Sequence, residues 1–390
     1  MPLPTITFNI ASNGLNRLAP AIEKTPGIVI TGATVADNVT LGQSYQIFSL
    51  AEAEALGIEE VGTNNFAHAQ IKSFYGEAGT GTELWLMLVS DATTMEDMAD
   101  VNESYAKKLI TDAAGEIRVL GLVRKTAGTE TIVDGIDEDS KLAVIKAQEL
   151  AEYFETKYMP IRVLVSGNLF TGVPADLANY NESNFNKVAM LIANVDGSNE
   201  AAIGLALGRL AAIPSQRNIG RVKDGPVEEI AGYFTNGETI ESLSDAWDSI
   251  HDKHYIFLRT FIGRSGYYFS DDVTLTSLQN DFSALGRGFV MDEAVIIAYD
   301  QMVEELGDEV PLTEAGQIHP AIIKSWQSKV ETQISGLMVD EGKLSGVSVF
   351  IDENQNILQT DRLVMLINLQ PVGYAKNIEV NIGFTTQINA

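Results

Sequence analysis

Along the first two thirds of the chain, apolar residues gather into short unbroken runs separated by longer stretches of mixed character. The runs at 27–30, 84–89, 117–123, 161–165 and 188–192 have the length of strands buried on both faces. Between them the period lengthens. Asp139 stands where an N-cap would open a helix reaching about Phe154, with Ala143, Ala147, Leu150 and Phe154 on one face. A second helix from about Asn199 to Ala212 carries Ile203, Leu207 and Leu210 inward and stops before Pro214. Strands alternating with helices predict an α/β core with a mostly parallel sheet.

Beyond Gly225 the rhythm changes. Runs at 254–261 and 266–269 read as strands joined by the turn Gly263-Arg264-Ser265-Gly266, and helical patterns follow at about 282–306 and 321–334. A strand at 346–351, a turn at 352–356 and a strand from 362 to 369 complete an α+β carboxy-terminal domain. The composition shifts at 270–276, so the expected division is an amino-terminal arm at 1–20, an α/β domain at 21–270, an α+β domain at 271–370 and a carboxy-terminal arm at 371–390.

Both chain ends alternate polar and apolar residues as an extended β-strand does. Ile6, Phe8 and Ile10 share one face at the start, and Ile378, Val380, Ile382 and Phe384 share one at the end. Gly14 and Gly373 beside them are candidate hinges. Three partners are open for these strands: each other, the chain's own sheet, or a sheet in another copy.

Charge narrows the function. The 53 Asp and Glu against 26 Lys and Arg give a net charge of -27. A nucleic-acid binder needs a basic footprint, so nucleic acid is not an expected partner. With no cysteine there is no disulfide, thiolate nucleophile or Cys-based zinc site. The start of the sequence lacks a signal-peptide pattern and no apolar run approaches membrane length, so the expectation is a soluble chain made in a cytoplasm without direct membrane insertion.

Motifs for chemistry are weak. Gly76, Gly79 and Gly81 precede a strand, whereas a phosphate loop follows one and opens a helix. The loop Gly167-Asn168-Leu169-Phe170-Thr171-Gly172 does follow a strand, the one ending near Val165, but has neither the lysine nor the dinucleotide spacing. A nucleotide- or small-molecule-binding enzyme using that loop is the alternative reading. Of four histidines, His251 and His254 are close enough to share a helix face, without a well-spaced third ligand for zinc. Ser104 and Lys107 match Ser-x-x-Lys, with no partner motif of that chemistry. Asp271-Asp272 is one acidic pair among many, and the turns at 196–199 and 352–356 have oxygen-rich, calcium-like density that ordinary caps also explain. No catalytic, cofactor or metal residue is assigned, and the expectation is no enzyme and no cofactor. Arg209, Arg217, Arg221 and Lys223 form a local basic exception. It suits a phosphate, or an acidic face of the same or a neighbouring copy; as an inter-subunit electrostatic patch it would let acidic copies stack.

The run 203–222, with its glycines and Arg209, resembles a segment of contractile phage tail sheath proteins, especially a compact prophage branch. Gly266-Tyr267-Tyr268-Phe269-Ser270-Asp271-Asp272 is similar to the sheath pattern of a glycine-aromatic strand followed by acidic residues. The helix around 282–299 with Arg287-Gly288, and the final strand, Pro371 and alternating arm, also resemble sheath features. The large surface insertions of many sheaths are missing. The resemblance implies a structural subunit that polymerises as stacked hexameric rings around an inner tube and contracts to drive the tube through a target envelope. It implies other copies, the inner tail tube protein, and baseplate and tail terminator proteins as partners, in a virion tail or injection particle assembled in the bacterial cytoplasm. It further implies that terminal arms join the carboxy-terminal sheet of neighbours.

Overall fold

A computed structural model describes residues 24–384 apart from 315, 361, 377 and 381. It divides into two compact units, Met1–Tyr299 and Asp300–Ala390.

In the first unit the apolar runs build one six-stranded sheet from β1 (Thr25–Thr31), β2 (Ser44–Ile47), β3 (Leu84–Val89), β4 (Ile117–Val123), β5 (Arg162–Ser166) and β6 (Val188–Leu191), ordered β2-β3-β1-β4-β5-β6. Every pairing is parallel except β2 on β3. The mostly parallel core is therefore present. β2 is not legible as a strand in the sequence because it is short, mostly polar and at the edge, with only Ile47 buried, whereas β3 is a continuous buried apolar run.

Helices α1 (Asn65–Ala78), α2 (Glu138–Glu155) and α3 (Ile203–Ala212) contribute to the layers around the sheet. On α2 the face of Ala143, Ala147, Leu150 and Phe154 is buried as expected. Its cap is not Asp139. Asp137 takes that position, accepting from the Asp139 amide, while the Asp139 carboxylate accepts from Met95 N at 2.8 Å and Glu96 N at 3.0 Å. It thus tethers a neighbouring short helix, Met95–Ala99. On α3, Gly204 and Gly208 lie against the α1 backbone: a Cβ at Gly204 would stand 1.9 Å from the Gln70 carbonyl oxygen.

The run at 254–261 is mostly not a strand. Ile256 N donates to Met190 O and Ile192 N donates to Ile256 O, both at 2.9 Å, so the run is spent covering the outer edge of β6. Only Leu258–Arg259 and Tyr268–Phe269 pair as a hairpin. Helix α4 (Leu285–Met302) follows, its start held by Asp272, which accepts from Leu285 N through its carbonyl and from Gly286 N through its carboxylate.

The second unit holds α5 (Pro320–Ile334) and an antiparallel hairpin of β7 (Leu344–Ile351) and β8 (Met365–Pro371). Ile318, Ile323, Trp326 and Ile351 form its small buried cluster. The patterns at 321–334 and 346–351 fall within two residues of the observed elements, while the strand expected at 362–369 starts three residues later, after Val364, whose N and O are both held by the Gln355 side chain. Of the expected arms, Ile6, Phe8, Ile10 and Gly14 lie outside the described residues. The described residues of 372–384 form no strand.

Candidate functional site

In an open α/β sheet a ligand crevice is expected where neighbouring strand ends send their connections to opposite sides, here beyond β1 and β4. Protein side chains fill that place. Lys125 N donates to Thr31 Oγ1 at 2.9 Å, and Glu200 Oε1 accepts from both Thr126 N and Thr126 Oγ1 at 2.7 Å. Arg124 pairs with Glu130, Asp137 and Asp139 at 3.3, 3.5 and 3.2 Å. Burial pushes the Asp137 carboxyl up to about 6, with the neighbouring Asp139 charge adding to the effect.

The loop after β5 is equally committed. Gly167 N donates to Leu191 O, Asn168 N to Ser140 Oγ, Leu169 N to Asn199 O, Phe170 N to Thr235 Oγ1 and Thr171 N to Gly135 O. A phosphate cradle works through free backbone N–H groups, and these five are taken. The glycines at 76–81 close the carboxy-terminal end of α1, the partially negative end of a helix, which repels an anion.

The remaining candidates resolve into ordinary structure. His251 ends a short helix and meets Asp271 at 3.0 Å, whereas His254 lies beyond that helix with a positive φ of 71° and is bound through Nδ1 to Thr274 O. They do not share a helix face. His68 meets Glu54 at 3.1 Å, and His319 caps α5. Lys107 donates to Val101 O rather than to Ser104. The turns at Asp196 and Asp352 are closed by their own carboxylates, which accept from Ser198 N and Asn354 N. Among the described residues no group of three or more His, Asp or Glu side chains is placed to hold a metal ion. No described helix is long and apolar enough to cross a membrane.

The basic patch separates into an internal and an external part. Arg209 is only 6% exposed; it pairs with Glu77 at 2.7 Å and donates to Pro226 O at 2.7 Å. Desolvation raises the Glu77 carboxyl despite that partner. Arg217 and Arg221 both pair with Asp224, at 3.3 and 2.7 Å, and Arg221 and Lys223 are exposed. Sequence proximity grouped four cations that burial divides.

The surface that stands out is in the second unit. Among the described residues β7 and β8 form a two-stranded sheet, so each has one edge that no other described strand pairs with. The side chains of Val349 and Ile351 are buried, while Phe350 and Leu366, directly opposite each other, stand exposed on the other face. Beyond Gly373, Ile378, Val380, Ile382 and Phe384 are 78%, 69%, 92% and 112% exposed. Four large apolar side chains in water at every second position make an uncovered apolar stretch. Across a groove from the outer edge of β7 stand Gln327 and Glu331 of α5, which sequence reasoning missed because each is merely one polar residue on an amphipathic helix.

Residues 3–273 match the family described as DUF2586, N-terminal domain, and residues 281–389 match DUF2586, C-terminal domain. The chain belongs to the DUF2586 family. No curated protein matches it. Among solved structures, this DUF2586 chain is similar to the contracted helical sheath of the anti-feeding prophage, with a TM-score of 0.64 and 13% identity over 99% of this chain and 100% of the other. A chain of the six-fold symmetrised anti-feeding prophage baseplate matches with a TM-score of 0.64 and 14% identity over 100% and 99%. The contracted sheath complex of PVC, an extracellular contractile injection system, matches with a TM-score of 0.50 and 13% identity over 99% of each chain. The DUF2586 chain therefore has the fold found in contractile-sheath structures.

Proposed function

We propose that the chain is the sheath subunit of a contractile injection particle. Copies stack as hexameric rings around an inner tube, and on contraction they drive that tube through a target envelope. The observation that carries this reading is the sheet of the second unit, which has two strands among the described residues and is followed by an exposed alternating segment, on a chain with the sheath fold over nearly its whole length.

A two-stranded sheet is marginal alone, and a free edge beside an unpaired strand is an aggregation hazard unless a partner is intended. Exchanged terminal strands meet both requirements. Each arm adds its period-two face, Ile6, Phe8 and Ile10 or Ile378, Val380, Ile382 and Phe384, to a neighbour's hairpin through main-chain hydrogen bonds. At about 1 kcal/mol net per bond, plus buried apolar side chains, one arm contributes several kcal/mol. Gly14 and Gly373 act as hinges, so that links persist while the bodies rotate. An added Cβ at Gly373 would meet nothing within 4 Å, which leaves that position free to turn. Arg217, Arg221 and Lys223 face acidic surfaces of adjacent copies, while Arg209 serves its own subunit. Tube, baseplate and terminator proteins are the remaining partners, in a particle assembled in the bacterial cytoplasm. No step in this action calls for a cofactor or for catalysis by the subunit.

Deleting residues 1–13 or 376–390 tests the reading. Each truncated chain is expected to remain soluble and folded by circular dichroism yet to form no tubes under the electron microscope. Long sheaths from either truncation overturn the strand-exchange mechanism.

A further inference from the structure

The two outer edges of the hairpin are not equivalent. On β7, Val349 N donates to Glu331 Oε2 and Val349 O accepts from Gln327 Nε2, each at 3.3 Å. In an antiparallel ladder, a residue whose N–H and C=O both point away from the partner strand sits in a non-hydrogen-bonded pair. The period of two then places Val347 and Ile351 in the same orientation, and Val347 and Val349 line the groove of about 860 Å³ that α5 borders. Gln327 and Glu331, one helical turn apart, thus offer β7 one donor and one acceptor, as a residue of a third strand would.

We propose that Gln327 and Glu331 are placeholders that occupy the β7 edge in the unassembled subunit and yield it to residues 378–384 of a second copy. The inference rests on the sheath reading above. Three observations favour this occupant. The segment's seven residues, at about 3.3 Å each, span much the same length as the eight of β7. Its apolar residues are exposed at every second position. The side-chain bonds at 3.3 Å supply one donor and one acceptor, and main-chain bonds of an added strand replace them one for one. Until then the placeholders keep a sticky edge from pairing with the wrong strand, the task that charges and covering elements perform on other exposed edges. Gln327 is buried and lines the groove, so an entering strand must displace its side chain.

The test uses full-length chain prepared as unassembled subunit, with Gln327→Leu, Glu331→Leu and the milder Gln327→Asn. Hydrogen–deuterium exchange over Leu344–Ile351 and the lag before tubes appear are measured for each. Losing a bond of about 1 kcal/mol is expected to speed local exchange roughly fivefold and to shorten the lag by a similar factor. Should a leucine variant unfold, as circular dichroism would reveal, Gln327→Asn carries the test, because it keeps the amide one methylene out of reach. If the wild type forms tubes and the folded variants show unchanged or longer lags, the placeholder role is overturned while the sheath reading stands. If the wild type forms no tubes under any assembly condition, the sheath reading falls and this inference with it.

Discussion

The edges of the two sheets differ in how they end. In the body, β6 is covered by the 255–257 segment through main-chain bonds at Ile192 and Ile256, and β2 is a four-residue strand flanked by polar contacts such as Ser44 to Asp112. In the second unit, the outer edge of β7 is met at Val349 by the side chains of Gln327 and Glu331. The first arrangement suits a sheet that is finished inside one chain, and the second suits one that another chain completes. Stability should accordingly reside in the body and assembly in the hairpin and its arms, which gives substitutions a sharp division of effect.

The largest effect is expected at the buried pair of Arg162 on β5 and Asp292 on α4. The guanidinium contacts both carboxylate oxygens, at 2.7 and 2.6 Å, and donates to Asn186 O and Gly288 O. Arg162→Met leaves the Asp292 charge buried without its partner and should cost about 3–5 kcal/mol in denaturant unfolding. Adding Asp292→Leu should recover most of that loss. A double variant as unstable as the single one would show that the charge is not what the site suffers from.

Gly204→Ala comes next. Its Cβ would press on the Gln70 carbonyl oxygen, so α3 must move off α1, and overpacking of this kind costs about 2–3 kcal/mol. Thermal unfolding of the body should shift down, whereas Gly373→Ala, with empty space around it, should leave the unfolding temperature unchanged. Equal effects at the two glycines would erase the distinction between body and arm.

These positions also show where the sequence was informative. β3 and β4 are readable to the residue because strands buried on both faces need uninterrupted apolar runs. The run at 254–261 has the same appearance but covers an edge instead, and local pattern does not say which partner a strand-like segment meets. Asp139 looked like a cap for its own helix; its carboxylate serves residues 95 and 96, more than forty positions away. The Val349 contacts with Gln327 and Glu331 were beyond reach for the same reason. Amphipathic alternation in 378–384 was plain, since it needs only two-residue periodicity.

The smallest effect, and the most specific to the body, concerns pH. Lys24 stands where the chain enters β1, its Nζ 3.2 Å from Pro214 O and 5.4 Å from the Phe289 ring centroid. Burial pushes its ammonium down to about 7, against the pull of Asp272 and Glu293 and with some help from Arg217. A lysine whose folded pKa lies below its unfolded value disfavours the fold at pH below the folded value, and the penalty fades as pH rises toward the unfolded value. Between pH 7.5 and 9.5 the group should therefore add about 2 kcal/mol of stability. The raised Asp137 carboxyl acts in the opposite sense but below its value of about 6, and the lowered His254 imidazole also titrates below this window. Lys24→Met should be more stable than the wild type at pH 7.5, with the difference closing by pH 9.5 in urea titrations. A pH slope in that window that the substitution leaves intact would show that Lys24 is charged at little cost, and that water or another carboxylate reaches it.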